Sequence, residues 1–244
     1  MKIKTLLIIL GSTYFAFTAK AQEANPTDPS SSFEVFLNQD NAFGFYPKVS
    51  GSFKLIDNIN LSFYGIFWTN PSFGNSFDGT DTWLETGLGV QFLALADRIK
   101  INPFVGFTHG KVLSDNFEAI LAEGIVPGLS IQFLDNRFEV EGFFSYYKAL
   151  KSKGRDSGDY LLYWLLPGVV INPNISVGVH YEGYDQIRIA EGEANIRYQR
   201  FGGYAKFTIR DKYFFRFSAG TNSVEDSKYA KNFYKLTVGI TLAD

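Results

Sequence analysis

Apolar and polar residues alternate along most of the chain, and the alternation is clearest close to its C-terminal end. There Tyr234, Leu236, Val238, Ile240 and Leu242 alternate with Lys235, Thr237, Gly239 and Thr241. Successive side chains of a β-strand point to opposite faces, so a period of two predicts strands with one apolar and one polar face.

The pattern predicts an all-β protein with about twelve strands, and ten is the alternative count. The predicted strands lie near 33–38, 44–55, 59–69, 82–95, 98–109, 124–133, 137–148, 159–171, 175–184, 196–209, 213–222 and 232–242. Short connections alternate with longer ones at 39–43, 70–81, 110–123, 149–158, 185–195 and 223–231. Tight turns on one rim and longer loops on the other indicate a transmembrane up-and-down antiparallel β-barrel.

The direction of the apolar face distinguishes a membrane barrel from a soluble lipocalin or β-sandwich. The apolar faces together hold more large side chains than the interior of one small barrel can pack. Most strands are long enough to cross the hydrocarbon layer, which takes about 9–11 tilted residues. Glycines also fall on the polar faces, where a crowded lumen favours small residues. We therefore expect the apolar side chains to face lipid.

Two features of the sequence do not fit the simple alternation of apolar and polar residues. The strand at 159–171 is apolar on both faces, so its register is undetermined and it could line the lumen with an apolar patch. Prolines lie inside four predicted strands, at Pro47, Pro103, Pro127 and Pro167. Because proline has no N–H to donate to the ladder, we expect bulges or strand ends there.

The N-terminal segment predicts export. Residues 1–21 have a lysine-containing start, an apolar core and an Ala19-Lys20-Ala21 cleavage site, as a secretory signal does. A polar leader at 22–31 would then precede a barrel at 32–244. The formal net charge of −2 argues against nucleic acid as a partner. The chain has no cysteine, which excludes disulfides and thiolate metal sites.

Several stretches carry a family resemblance: the export site, Phe45-Tyr46-Pro47 through Gly51-Ser52-Phe53, 63–69 and 233–239. With these the chain resembles the outer-membrane β-barrel proteins of unknown function common in Bacteroidota, and it is more distantly similar to the small porins of Gram-negative bacteria. The resemblance implies a location in the bacterial outer membrane, contact with its lipid and insertion by the barrel-assembly machinery. Such barrels commonly end on an aromatic residue, and here the chain departs from that pattern with Leu242-Ala243-Asp244.

The polar faces supply the candidate functional residues, which we predict to line the lumen. They are Lys48, Lys54, Glu85, Lys100, Glu139, Glu141, His180, Glu182, Arg200, Lys206, Arg216 and Lys235. Charges inside a membrane protein must pair or meet water. The set is compatible with a field that favours small anions, and equally with a salt-bridged interior that only fills the barrel.

No arrangement points to an enzyme, and we expect none, with no cofactor and no metal. Glu139 and Glu141 share one face, but ion pairing explains them better than acid/base catalysis. His109 could serve a lipid hydrolase, yet no outward serine accompanies it. The loop 75–81 has carboxylates without EF-hand spacing, and a solvated turn is preferred to a calcium site. We assign Trp68 and Trp83 to an interfacial aromatic girdle.

The sequence thus predicts a narrow porin-like channel for small solutes. A non-conducting structural or surface-binding barrel that acts through its outer loops is the alternative, and an outer-membrane lipid hydrolase is a weaker one. Twelve strands lie between small filled barrels and open porins of about 16–18 strands, which favours a narrow or plugged lumen over a wide pore.

Overall fold

The computed structural model describes residues 31–70, 81–110, 113, 120–151, 157–210, 212–225 and 227–243. The predicted signal peptide, nearly all of the predicted leader and most of the loop 75–81 lie outside these residues. The strands are β1 (Ser31–Asp40), β2 (Gly44–Ile56), β3 (Ile59–Asn70), β4 (Asp81–Ala94), β5 (Ile99–Gly110), β6 (Ile120–Leu134), β7 (Phe138–Ala149), β8 (Gly158–Asn172), β9 (Ile175–Ile189), β10 (Asn195–Ile209), β11 (Tyr213–Asn222) and β12 (Asn232–Ala243).

These twelve strands form one closed antiparallel barrel in which every strand pairs with its neighbours in sequence. The ring closes where β1 pairs with β12, from Phe33 opposite Ala243 to Asp40 opposite Lys235. The predicted up-and-down, twelve-stranded barrel is therefore confirmed. Within the described part of the chain, no helix is long and apolar enough to span a membrane.

The connections define two rims. The turn rim holds the short connections after β2, β4, β6, β8 and β10, and the loop rim holds the others. At the turn rim Asp135 accepts hydrogen bonds from the backbone N–H groups of Arg137 and Phe138, both at 2.7 Å. These two bonds favour the ionised carboxylate and lower the pKa of Asp135.

Two strands extend toward the loop rim by four or five residues more than the alternation predicts. β6 begins at Ile120, where 124 is expected, and β9 continues to Ile189, where 184 is expected. The extra residues of β9 pair with the start of β8, where Gly158 lies opposite Ile189. Their polar side chains resemble a loop in sequence, but backbone pairing with the neighbouring strands keeps them extended.

The expectation of bulges or strand ends at the prolines is wrong. Each proline lies inside a strand and pairs with one neighbour; Pro47 faces Leu37, and Pro167 faces Val140. On its other side each proline interrupts the pairing, which then resumes in the same register. Around Pro47, for example, β2 pairs with β3 at Lys48, opposite Ile66, and again at Phe45, opposite Thr69. Proline has no N–H to donate, so the interruption on one side is sufficient and the chain needs no extra residue.

The outer wall is apolar. Leu88 and Phe201 are 62% and 61% exposed, and many other outward side chains resemble them. On the inner wall, aromatic side chains lie over glycines: Tyr64 covers Gly87 and Gly106, where a Cβ atom would meet the tyrosine ring or hydroxyl at less than 2.5 Å. This crowding explains why the polar faces contain glycine.

The register of β8 is also resolved. Tyr160, Leu162 and Leu166 are buried in the lumen, whereas Leu165 and Val169 are 47% and 50% exposed on the outer wall. The strand therefore lines the lumen with an apolar patch.

Candidate functional site in the barrel lumen

Ion pairs cross the lumen between strands that are not neighbours. Lys206 on β10 donates to Glu139 on β7 at 2.5 Å, and Arg216 on β11 donates to Glu141 on β7. Glu139 also accepts hydrogen bonds from Ser176 at 2.7 Å and from Tyr204 at 2.8 Å. Such contacts require all these side chains to point inward.

A second charged cluster surrounds Glu182, which is 1% exposed. Its carboxylate accepts from Lys235 at 2.9 Å, from Tyr198 at 2.7 Å and from Arg200 at 3.4 Å. The Nε2 atom of His180 lies 3.3 Å from the same carboxylate. Glu182 thus compensates two buried cations, and we name this group the Glu182 cluster.

Glu85 is a buried carboxylate held by aromatic donors. Tyr64 donates to it at 2.9 Å, Trp68 at 3.0 Å and Tyr147 at 3.1 Å. Tyr147 belongs to β7 and Glu85 to β4, so this contact also crosses the interior.

The other predicted lumen residues are lysines. Lys54 lies at the turn rim and pairs with Asp57 at 3.1 Å, so it is apart from the charged clusters. Lys48 and Lys100 are half-buried and line a chamber in the lumen. Among the described residues, neither has a carboxylate within ion-pair distance.

Aromatic side chains pack across the lumen near the loop rim, and we name this group the aromatic plug. Its centre is Phe43, in the turn between β1 and β2, and it includes Tyr46, Trp68, Tyr184 and Tyr198. The Phe43 ring lies 5.1 Å from the ring of Trp68 and 5.5 Å from that of Tyr184. Trp68 and Tyr184 belong to β3 and β9, which lie on opposite sides of the ring of twelve strands. Phe43 therefore bridges the two walls.

Side-chain contacts hold the turn inward. Asp40 accepts from the backbone N–H groups of Ala42 and Phe43 at 2.7 Å and from the Tyr46 hydroxyl at 3.0 Å. Arg200 donates to the side-chain oxygen of Asn41 at 3.1 Å. Gly44 follows with φ of 70°, a left-handed conformation that favours glycine.

The assignment of Trp68 and Trp83 to an interfacial girdle is wrong. Trp68 is 6% exposed and donates to Glu85 in the lumen, and the ring of Trp83 packs against it at 5.6 Å. Both tryptophans have the same strand parity as inward residues, Trp68 with Tyr64 and Trp83 with Glu85. The alternation therefore contained the signal for their true orientation, whereas it held none for Phe43.

Below the plug the lumen opens into connected chambers. The middle chamber, counted together with its openings to solvent, has a volume of about 830 Å³, and Lys48, Phe143 and Trp164 are among its lining residues. Two further chambers lie toward the turn rim and, counted in the same way, have volumes of about 810 and 630 Å³. Lys48 and Phe143 line both the middle chamber and the larger of these two. A polar path thus leads from the turn rim to the plug.

His109 is bonded in a way that does not suit a general base. Its Nδ1 atom accepts from the backbone N–H of Ala122 at 3.1 Å, and its Nε2 atom lies 3.1 Å from the Thr86 hydroxyl. In a neutral imidazole, Nε2 then holds the proton and donates to Thr86, so it cannot remove a proton from that hydroxyl. Among the residues that the structure describes, no group of three potential metal ligands occurs.

Several solved outer-membrane structures share this fold. The COG4313 outer membrane channel from Pseudomonas putida F1 superposes with a TM-score of 0.52 at 14% identity, covering 90% of this chain and 100% of that one. The NanC porin gives 0.51 at 8% identity, with 87% and 99% covered. The KdgM porin in complex with disordered oligogalacturonate gives 0.50 at 11%, with 86% and 99% covered.

Sequence comparison identifies a family but no protein of known function. The profile of a family of unknown function matches residues 1–242. No functionally curated protein matches the chain.

Proposed function

The chain belongs to the DUF6733 family of unknown function, and we propose that it is a porin-like barrel of the bacterial outer membrane that conducts small solutes through a narrow lumen. The turn rim, where β1 begins and β12 ends, would face the periplasm, and the loop rim the exterior. Residues 1–21 would direct the export that this location requires.

One observation supports conduction above all others: the chambers between the turn rim and the aromatic plug are contiguous and lined by charged side chains. Lys48 and Gln132 line both the middle chamber and the larger turn-side chamber. A barrel whose side chains only filled its interior would leave no such connected space. Passage is then controlled by the plug, which is the one apolar barrier along the described part of this path.

Planar-bilayer recording of the refolded protein tests the proposal. We expect small, brief openings from the parent protein and larger or longer ones from Phe43→Ala, because that change removes the ring bridging β3 and β9. Phe67→Ala is the matched control, since Phe67 is 50% exposed on the outer wall and should leave conductance unchanged. If neither the parent nor Phe43→Ala conducts, the channel function is wrong.

A second candidate is a non-conducting barrel that binds ligands through its outer loops. The plug supports it, because an apolar barrier near the loop rim opposes the passage of hydrated solutes. This alternative predicts that removing residues 71–80 abolishes ligand binding while conductance is absent in every variant.

A further inference from the structure

The middle chamber combines a large apolar wall with few free polar groups. Three cations and two carboxylates line it. Four of these five groups form pairs, Arg216 with Glu141 and Lys235 with Glu182. Thr237 and Asn38 also bond to each other, at 3.0 Å. Most of the hydrogen-bonding capacity of the wall is therefore already used within the protein.

Among the five charged groups that line the middle chamber, Lys48 is the one without an ion-pair partner in the described part of the chain. Its ammonium group lies 5.5 Å from the centre of the Phe36 ring. The nearby carboxylates are engaged elsewhere: Glu85 with Tyr64, Trp68 and Tyr147, and Glu141 with Arg216. Glu34 lines the two turn-side chambers, the larger of which Lys48 also lines, but it does not line the middle chamber, and none of the ion pairs among the described residues joins it to Lys48.

A row of stacked rings runs from the larger turn-side chamber into the middle chamber, and Lys48 lines both of these chambers. Phe104 stacks on Phe143 at 5.7 Å, and Phe143 stacks on Trp164 at 3.9 Å with an interplanar angle of 11°. Phe104 lines the turn-side chamber, Trp164 the middle one, and Phe143 both. Ile66 and Leu166 continue the apolar wall. An apolar solute could remain in contact with this wall as it moves between the two chambers.

We infer that the middle chamber binds a small amphipathic carboxylate, with the carboxylate on Lys48 and its aromatic or aliphatic body against the Phe104–Phe143–Trp164 row. A half-buried cation without an ion-pair partner favours an anion, since a charge-assisted hydrogen bond would compensate it. A sugar would need many hydrogen-bond partners around its ring, and the chamber offers Lys48 and Gln132 on a largely apolar wall. The inference rests on the proposed function, because it names the class of solute that uses this lumen.

Calorimetric titration of the refolded protein in detergent tests the site without any flux. The probes are phenylacetate, its neutral analogue phenylacetamide, and glucuronate, which has the charge without the apolar body. We expect phenylacetate to bind at least about tenfold more tightly than either of the others, as a charge-assisted contact implies. Equal binding of phenylacetamide, preference for glucuronate, or no binding of any probe would each overturn the inference.

Variants locate the site. Lys48→Met should weaken phenylacetate binding by about tenfold or more, and Lys48→Arg should retain it. Lys54→Met, on the same strand but at the turn rim, is the matched control and should bind as the parent does. Should Lys48→Met fail to fold, as judged by circular dichroism, Phe143→Leu supplies the second variant, and unchanged affinity there would refute the site. Binding without conductance would refute the channel function but not the binding site. Conductance without binding would refute only the binding site.

Discussion

The guanidinium of Arg200 donates to the side-chain oxygen of Asn41 at 3.1 Å, across 159 positions of sequence. Arg200 also pairs with Glu182, so the turn that presents Phe43 is linked to the buried Glu182 cluster. Because the same turn is bonded to Asp40, two independent sets of contacts keep Phe43 between the opposite walls. Changes in either set should therefore affect both stability and conduction.

Replacing Asp40 with alanine should loosen the plug. The change removes the acceptor for the N–H groups of Ala42 and Phe43, and it should cost about 1–3 kcal/mol. We expect a lower urea midpoint and more frequent openings in bilayer recordings. Asp40→Asn retains an acceptor oxygen and should behave nearly as the parent does; an Asp40→Ala protein with parental openings would contradict this role.

Replacing Glu182 with leucine should destabilise the barrel strongly. Arg200, which is 0% exposed, and Lys235 would lose their carboxylate, and an uncompensated buried charge costs about 3–5 kcal/mol. Denaturant unfolding followed by tryptophan fluorescence measures the loss. Asp57→Asn breaks the exposed pair with Lys54 and should cost less than about 1 kcal/mol. Similar losses of unfolding free energy in the two variants would show that the Glu182 cluster contributes no more to stability than the exposed pair.

Glu139 and Lys206 should be energetically coupled across the lumen. Each single change, Glu139→Gln or Lys206→Met, is expected to destabilise the barrel, and the double variant should lose less than the sum. The coupling energy of contacting charged residues is about 0.5–3 kcal/mol. A double-mutant cycle on unfolding free energies measures it, and strict additivity would mean that the pair is not formed.

His109 should have no catalytic role. The parent protein is expected to release no fatty acid from phospholipid vesicles, because the Nε2 atom of His109 is a donor to Thr86. Conductance of His109→Ala should equal that of the parent. Hydrolysis by the parent that His109→Ala abolishes would reverse this conclusion.

The strands could be predicted because alternation is a local property of the chain. β12 illustrates this, since residues 232–242 were expected and Asn232–Ala243 is found. The end of β9 could not be placed, because Asp185 and Gln186 have loop-like side chains and only pairing with β8 and β10 keeps them extended.

The charged residues were predictable, and their partners were not. Strand parity is enough to assign Glu139 and Arg216 to the polar faces. That Glu139 meets Lys206 and Glu141 meets Arg216 depends on the stagger and curvature of the closed barrel, which bring β7 within reach of β10 and β11. Phe43 lies in a three-residue turn without periodicity, and its inward direction follows from the bonds to Asp40.

The seam between β1 and β12 has a consequence for assembly. β1 is translated first, yet its partner along this edge is the final strand of the sheet. Until β12 is in place, β1 and β11 each present unpaired backbone groups, which invite association with other chains. A protein shortened before Asn232 would therefore be an open sheet with two unpaired edge strands. We expect it to aggregate, whereas the chain that includes β12 forms a closed barrel without edges.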